Sequence, residues 1–133
     1  MAWHVDYFKA KPQEKGRSTV SEEASSVETA TALLVFLSFE KSDESRGLEA
    51  SVEEGAREIR KIAGNVGVDT IILNPFAHMF AELSSENFAR SGINALYDSL
   101  SKEYKVSKLA FGWFYEIELK AKGHRFARVS RIV

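Results

Sequence analysis

Cysteine is absent from all 133 residues. That excludes disulfides, thiolate zinc ligands and thiol nucleophiles, and with them any case for an oxidising compartment. Proline occurs twice and glycine eight times, too few for a disordered or collagen-like chain. Long apolar runs are missing too. The longest, Ala30 to Phe39, is broken by Thr31 and Ser38 and falls far short of the roughly 20 residues a spanning helix needs. The opening Met1-Ala2-Trp3-His4-Val5-Asp6 has neither the basic start nor the apolar core of a secretory signal. These absences lead us to expect one cytoplasmic domain, residues 1–133, with no membrane partner.

What is present has the composition of a folded globular chain, 44% hydrophobic and 28% charged. The net charge of −1 hides an uneven distribution. Through Ser101 there are ten Lys and Arg against sixteen Asp and Glu; from Lys102 onward there are eight against three. A basic last quarter on an acidic body favours a polyanionic partner, although a solvated basic face produces the same pattern.

Patterning predicts an α/β domain with a mixed β-sheet and two main amphipathic helices. Trp3, Val5 and Tyr7 alternate with His4, Asp6 and Phe8, which predicts a short opening strand. Lys9 to Glu28 is polar and reads as a mobile loop with a ragged strand at Arg17 to Val20. Thr29 to Glu40 reads as a strand buried on both faces. Leu48, Val52, Ala56, Ile59, Ile62, Ala63 and Val66 recur at helical spacing, with Ser51 and Glu54 spaced as a capping box. Asp69 to Leu73 predicts a buried strand ending at Asn74-Pro75. A second helix follows Ser84 or Ser85 as N-cap, its inner stripe including Gly92, Ile93, Leu96 and Leu100. Trp113 to Ala121 alternates as a strand, and Lys122-Gly123-His124 predicts a turn into a hairpin partner at Arg125 to Ile132.

Chemistry-bearing motifs are few. His4, His78 and His124 are spread over the chain at no metal-ligand spacing. Neither a Gly-x-Ser-x-Gly elbow nor a Gly-rich phosphate loop occurs. No metal and no cofactor is expected. Two segments stand out. Asn74-Pro75-Phe76-Ala77-His78 follows a predicted buried strand, where open α/β sheets bind ligands; a buried loop explains it equally. Phe111-Gly112-Trp113-Phe114-Tyr115 places aromatic residues on both faces of a strand. Either a helix or a stacked nucleobase would cover the second face. Lys120, Lys122, Arg125, Arg128 and Arg131 nearby favour a phosphate-bearing ligand.

These two segments, with Glu82-Leu83, Lys122-Gly123-His124 and Ser130-Arg131, resemble the N-terminal editing domain of archaeal threonyl-tRNA synthetase. His4-Val5-Asp6-Tyr7 and Ser38-Phe39-Glu40-Lys41 match further short motifs of that family, so the resemblance runs nearly the full chain. It implies a D-aminoacyl-tRNA deacylase-like fold and a proofreading hydrolase that removes L-serine, but not threonine, from tRNA(Thr). It also implies that the domain is the N-terminal part of a longer chain. By this resemblance Pro75, Phe76 and Ala77 hold the terminal adenosine, Phe39 flanks its base, and His78, Phe114 and Tyr115 stand at the ester. Phe111, Gly112, Trp113 and Arg128 line the substrate pocket. Catalysis then relies on backbone groups, a water and the tRNA 2′-hydroxyl, without metal. Expected partners are the 3′ end of tRNA(Thr) carrying serine, the synthetase catalytic and anticodon-binding domains in cis or trans, and a second copy in a homodimer. Two departures matter, because family members often carry Lys at Tyr115 and Glu at Arg128. A D-aminoacyl-tRNA deacylase and a non-catalytic tRNA- or synthetase-binding module are the alternatives.

Overall fold

A computed structural model describes residues 1–133 apart from His78, Phe80 and Ala81. Its elements are β1 (Ala2–Lys15), β2 (Val27–Thr29), β3 (Ala32–Leu37), α1 (Lys41–Arg46), α2 (Leu48–Val66), β4 (Thr70–Pro75), α3 (Glu86–Leu100), β5 (Lys105–Lys108), β6 (Trp113–Ala121) and β7 (Arg128–Val129). The strands form one mixed sheet in the order β2-β1-β3-β4-β5, with β6 and β7 also on β1. β3, β4 and β5 are parallel, whereas β1 is antiparallel to all four of its partners. This is the mixed α/β architecture with two long helices that the patterning predicts.

Both long helices have local reasons for their limits. α2 ends where Gly67 adopts φ 72°, a left-handed conformation that glycine reaches without a Cβ penalty, and its N–H bonds Ala63 O at 2.9 Å. α3 begins at Ser85, whose Oγ accepts the Phe88 N–H at 3.3 Å. Glu44 of α1 accepts the Ser85 N–H at 2.7 Å and so fixes that cap to the preceding helix pair. The inner stripes of α2 and α3 pack on Leu33, Val35, Ile71 and Leu73, forming the larger core cluster.

A second cluster occupies the other face: Val5, Phe8, Ala10, Ala32, Leu34, Ile72 and Leu109. α2 and α3 both pack into the first cluster, yet Phe8, Leu34 and Ile72 are fully buried. Partly buried Trp3, Val27, Phe36, Tyr115 and Leu119 cover them instead. β1 breaks register with β6 between Val5 and Tyr7 and again between Pro12 and Glu14, and such bulges sharpen local twist. β6 then brings Tyr115 and Leu119 onto this cluster.

Several boundaries differ from the sequence-based expectation. The opening strand runs on to Lys15 because β6 pairs with its polar half, an alternation that charged side chains hid. No strand forms at Arg17 to Val20; the short strand is β2 at Val27–Thr29. α2 starts at Leu48 with Gly47 as N-cap, so Ser51 is inside the helix and bonds Asp43 O instead of capping. The expected hairpin is not formed either. β6 and β7 lie one after the other along the same edge of β1, β7 pairing Ala2 and Trp3 and β6 pairing Val5 onward.

The turn between them is held by a histidine pair. His4 Nδ1 lies 2.8 Å from His124 Nε2, and His124 Nδ1 accepts the Phe126 N–H at 3.3 Å. A neutral His124 therefore donates from Nε2 to His4 Nδ1, which leaves the His4 proton on a buried Nε2 without a partner among the described residues. Burial, then the neighbouring His124 and Lys122, hold the His4 imidazole below the usual histidine range, against a smaller opposing pull from Asp6. The unfolded chain binds this proton more readily than the fold does. Stability is thus complete above about pH 6.5 and declines as pH falls below it. Melting temperature is expected to drop between pH 7 and 5, and His4→Gln to lessen the drop; an unaltered pH slope in the variant would contradict this assignment.

Candidate functional site

The carboxyl ends of parallel β3 and β4 are where an α/β sheet of this kind offers a ligand crevice. A cleft of about 120 Å³ opens there, against Val35, Leu37, Ser38 and Phe39 at the end of β3. α2 supplies its far wall through Ser51, Gly55, Glu58 and Ile59, and Met1, Met79 and Arg131 reach it from outside the helices. Most of its polar groups are already engaged. Ser51 Oγ bonds Asp43 O at 3.3 Å, Asp43 accepts the Glu40 N–H at 2.8 Å, and Arg131 bonds Glu58 at 3.2 Å.

The chain leaves β4 and returns towards α3 with both ends tied to the extension of β3. Phe76 N–H bonds Leu37 O at 2.8 Å, Ser84 N–H bonds Phe39 O at 3.0 Å, and Lys41 N–H bonds Glu82 O at 3.0 Å. The Pro-Phe-Ala segment is therefore held beside the end of β3, with Pro75 next to Leu37 in register, while the cleft wall there is made by Leu37, Ser38 and Phe39. Phe39 lines the cleft and is 7% exposed, its ring edge-on to Phe88 at 5.9 Å. Ala77 is exposed, and His78 lies outside the described residues.

The remaining candidates fall into two further groups. Phe76, 42% exposed, meets Phe36 edge-to-face at 6.1 Å, and Phe36 meets Trp3 at 5.4 Å. Arg128 is exposed and sits opposite Trp3 in the β1–β7 register, so this cation adjoins the aromatic row. The Phe111-to-Tyr115 strap forms the other group. Tyr115 Oη accepts the Ala110 N–H at 3.0 Å and donates to Ser25 O at 3.3 Å. Trp113 Nε1 donates to Glu22 O at 2.7 Å. Phe114 alone of the strap points outward, 64% exposed, so among the described residues the second face is left largely open. Gly112 has φ 82°, and a side chain there would meet Ser21 at 2.8 Å.

Glu22 is the residue that sequence reasoning missed. It lies in the stretch read as a mobile loop, yet its carboxylate accepts from Asn94 at 3.1 Å, Lys108 at 3.2 Å and the Phe111 N–H at 3.2 Å. Its backbone also bonds both Phe111 and Trp113. One side chain thus pins residues 16–26 to α3, β5 and the aromatic strap. Burial is the largest single influence on this carboxyl and pushes it up. The hydrogen bonds from Phe111, Asn94 and Lys108, with the Lys108 charge, outweigh burial and hold it below the ordinary glutamate range. A lone Glu among Ser and Glu neighbours carries no local signal of such a role.

Sheet, helices and crevice together define a mixed α/β domain with two long helices. In fold alone it is similar to the c-Myc DNA unwinding element binding protein, with a TM-score of 0.61 and 13% identity over 90% of this chain and 89% of that one. A family model described as the archaea-specific editing domain of threonyl-tRNA synthetase matches residues 1–133, and the chain belongs to that family of aminoacyl-tRNA deacylase domains. Threonine–tRNA ligases are among its relatives. That of Methanothrix thermoacetophila is 34% identical over 98% of this chain, that of Methanosarcina barkeri 32% over 98%, and that of Methanococcus vannielii 31% over 96%. The chain spans about a fifth of the length of these relatives, 20–21%.

Glu22→Gln tests the hub. Losing the charge opposite Lys108 is expected to cost about 1–3 kcal/mol and to speed amide exchange across residues 16–26. Because the folded carboxyl is held low, its contribution exists above the ordinary glutamate value of about 4.3 and is lost below it. The variant should therefore lose less stability than the parent on acidification through that range. Equal acid limbs would show that Glu22 does not carry it.

Proposed function

We propose that the cleft and the Pro75–Ala77 segment hydrolyse the ester joining L-serine to tRNA(Thr) and leave the threonyl ester intact. The observation that carries this reading is the anchoring of the family's Pro-Phe-Ala motif at the carboxyl ends of β3 and β4, tied by Phe76 N–H to Leu37 O. Serine lacks only a methyl group of threonine, a difference worth roughly 1–3 kcal/mol in a binding pocket. A synthetic site selecting threonine therefore admits some serine, and a second site that sterically refuses the methyl restores fidelity.

On this reading Pro75, Phe76 and Ala77 hold the terminal adenosine, and Phe39 forms the wall beside its base. An activated ester needs no strong side-chain nucleophile: oriented N–H donors for the oxyanion and a placed water supply most of the acceleration. The 2′-hydroxyl of the terminal ribose then helps position that water. Tyr115 does not replace the family's lysine in this scheme, since its hydroxyl is occupied by Ala110 and Ser25. Arg128, beside the aromatic row, serves as a phosphate contact.

The partners on this reading are the seryl-charged 3′ end of tRNA(Thr), the remaining synthetase domains in cis or trans and, by analogy with related deacylases, a second copy paired through the sheet. No described helix is long and apolar enough to cross a membrane, and charged tRNA places the work in the cytoplasm. Incubation with Ser-tRNA(Thr) and Thr-tRNA(Thr) should release serine at least about tenfold faster. Equal release, or none, would refute the reading, and release from D-Tyr-tRNA instead would favour the deacylase alternative. Transfer RNA ending in 2′-deoxyadenosine should resist hydrolysis; normal cleavage of it would remove the 2′-hydroxyl from the mechanism.

A further inference from the structure

The wall of the cleft is set from a helix that has no side chain at the decisive point. A methyl group placed on Gly92 would lie 2.4 Å from Phe39 Cζ and 2.7 Å from each Cε carbon. Heavy atoms do not approach so closely, so the ring occupies the space that any other residue at 92 would fill. Gly92 costs α3 helix propensity, about 1 kcal/mol against alanine by the usual scale, which gives the packing a reason to be specific. Phe39 cannot retreat by moving its backbone, because its carbonyl accepts the Ser84 N–H at 3.0 Å. α3, with Phe88 and Gly92, lies on one side of the ring, and the cleft lies on another.

We propose that Gly92 is a positioning residue for substrate: by lacking a side chain it seats the Phe39 ring against α3 and so keeps the cleft wide enough for the terminal adenosine. A side chain at 92 drives the ring into the cleft, and a smaller residue at 39 makes position 92 indifferent. This deepens the proposed function and rests on Phe39 being the wall beside the base.

The test is a double-mutant cycle on the chain with Gly92→Ala, Phe39→Val and both, measuring melting temperature and the kcat and KM of Ser-tRNA(Thr) hydrolysis. Gly92→Ala should raise KM about tenfold with kcat within about twofold. In the Phe39→Val background the same change should leave KM unaltered and should not lower the melting temperature, alanine being the better helix former. An equal rise in KM in both backgrounds overturns the proposal, as does a Gly92→Ala variant that keeps its parent's KM. Should Gly92→Ala fail to fold, the comparison of Phe39→Val with Phe39→Val/Gly92→Ala still decides, because a difference in KM between them means that Gly92 acts without Phe39. Failure of the functional reading is separate, since an unsubstituted chain inert on Ser-tRNA(Thr) refutes that reading directly. Adenosine binding followed by NMR titration across the same four proteins then tests the seating alone: weakened binding in Gly92→Ala that Phe39→Val abolishes supports it, and unchanged binding overturns it.

Discussion

Four strands take their backbone partners from β1, and every other feature of the sheet follows from that demand. A straight strand has two edges, so β1 must serve β3 then β2 along one and β7 then β6 along the other. The two breaks in register with β6 bend this long strand as the sheet twists. The same bends bring Tyr115 and Leu119 over the face that helices do not cover. Weakening β1 would therefore open both hydrophobic clusters at once, since Ala2 belongs to one and Val5 to the other.

The crevice depends on the other half of the sheet. Because β3 and β4 run parallel, their carboxyl ends lie side by side, and the chain beyond each must turn away in different directions. One turns into α1 and α2, the other through Phe76 towards α3, and the backbone bonds at Leu37, Phe39 and Lys41 hold the two departures together. Family motifs far apart in sequence meet for similar reasons. His4 and Asp6 on β1 face His124 and Lys122, which joins the opening motif to the one before β7.

Legibility in the sequence tracked how local the controlling interaction is. α2 and α3 could be read because their stripes and the Ser85 cap are properties of a few consecutive residues. β3 and β4 could be read because burial on both faces leaves an apolar run. The polar half of β1 could not, since Lys9, Lys11 and Glu14 lie in a strand whose other face alone is apolar. β5 was hidden the same way, with two lysines in four residues. The candidate site was suggested mainly by resemblance. Position, not composition, distinguishes Tyr115, which is committed to Ala110 and Ser25, from a residue free to act. Glu22 was illegible outright, because its partners lie on three separate elements.

The contact between Phe39 and Gly92 also limits the routes by which this sequence can have arisen. A chain with a branched residue on α3 at that point has no room for a ring on the strand extension, so the aromatic could enter only after, or together with, the loss of the helix side chain. The reverse path is equally one-way: once the ring is seated, any return from glycine at 92 is blocked until position 39 shrinks again. The two positions are therefore tied in volume: a ring at 39 demands glycine at 92, and a side chain at 92 demands a smaller residue at 39.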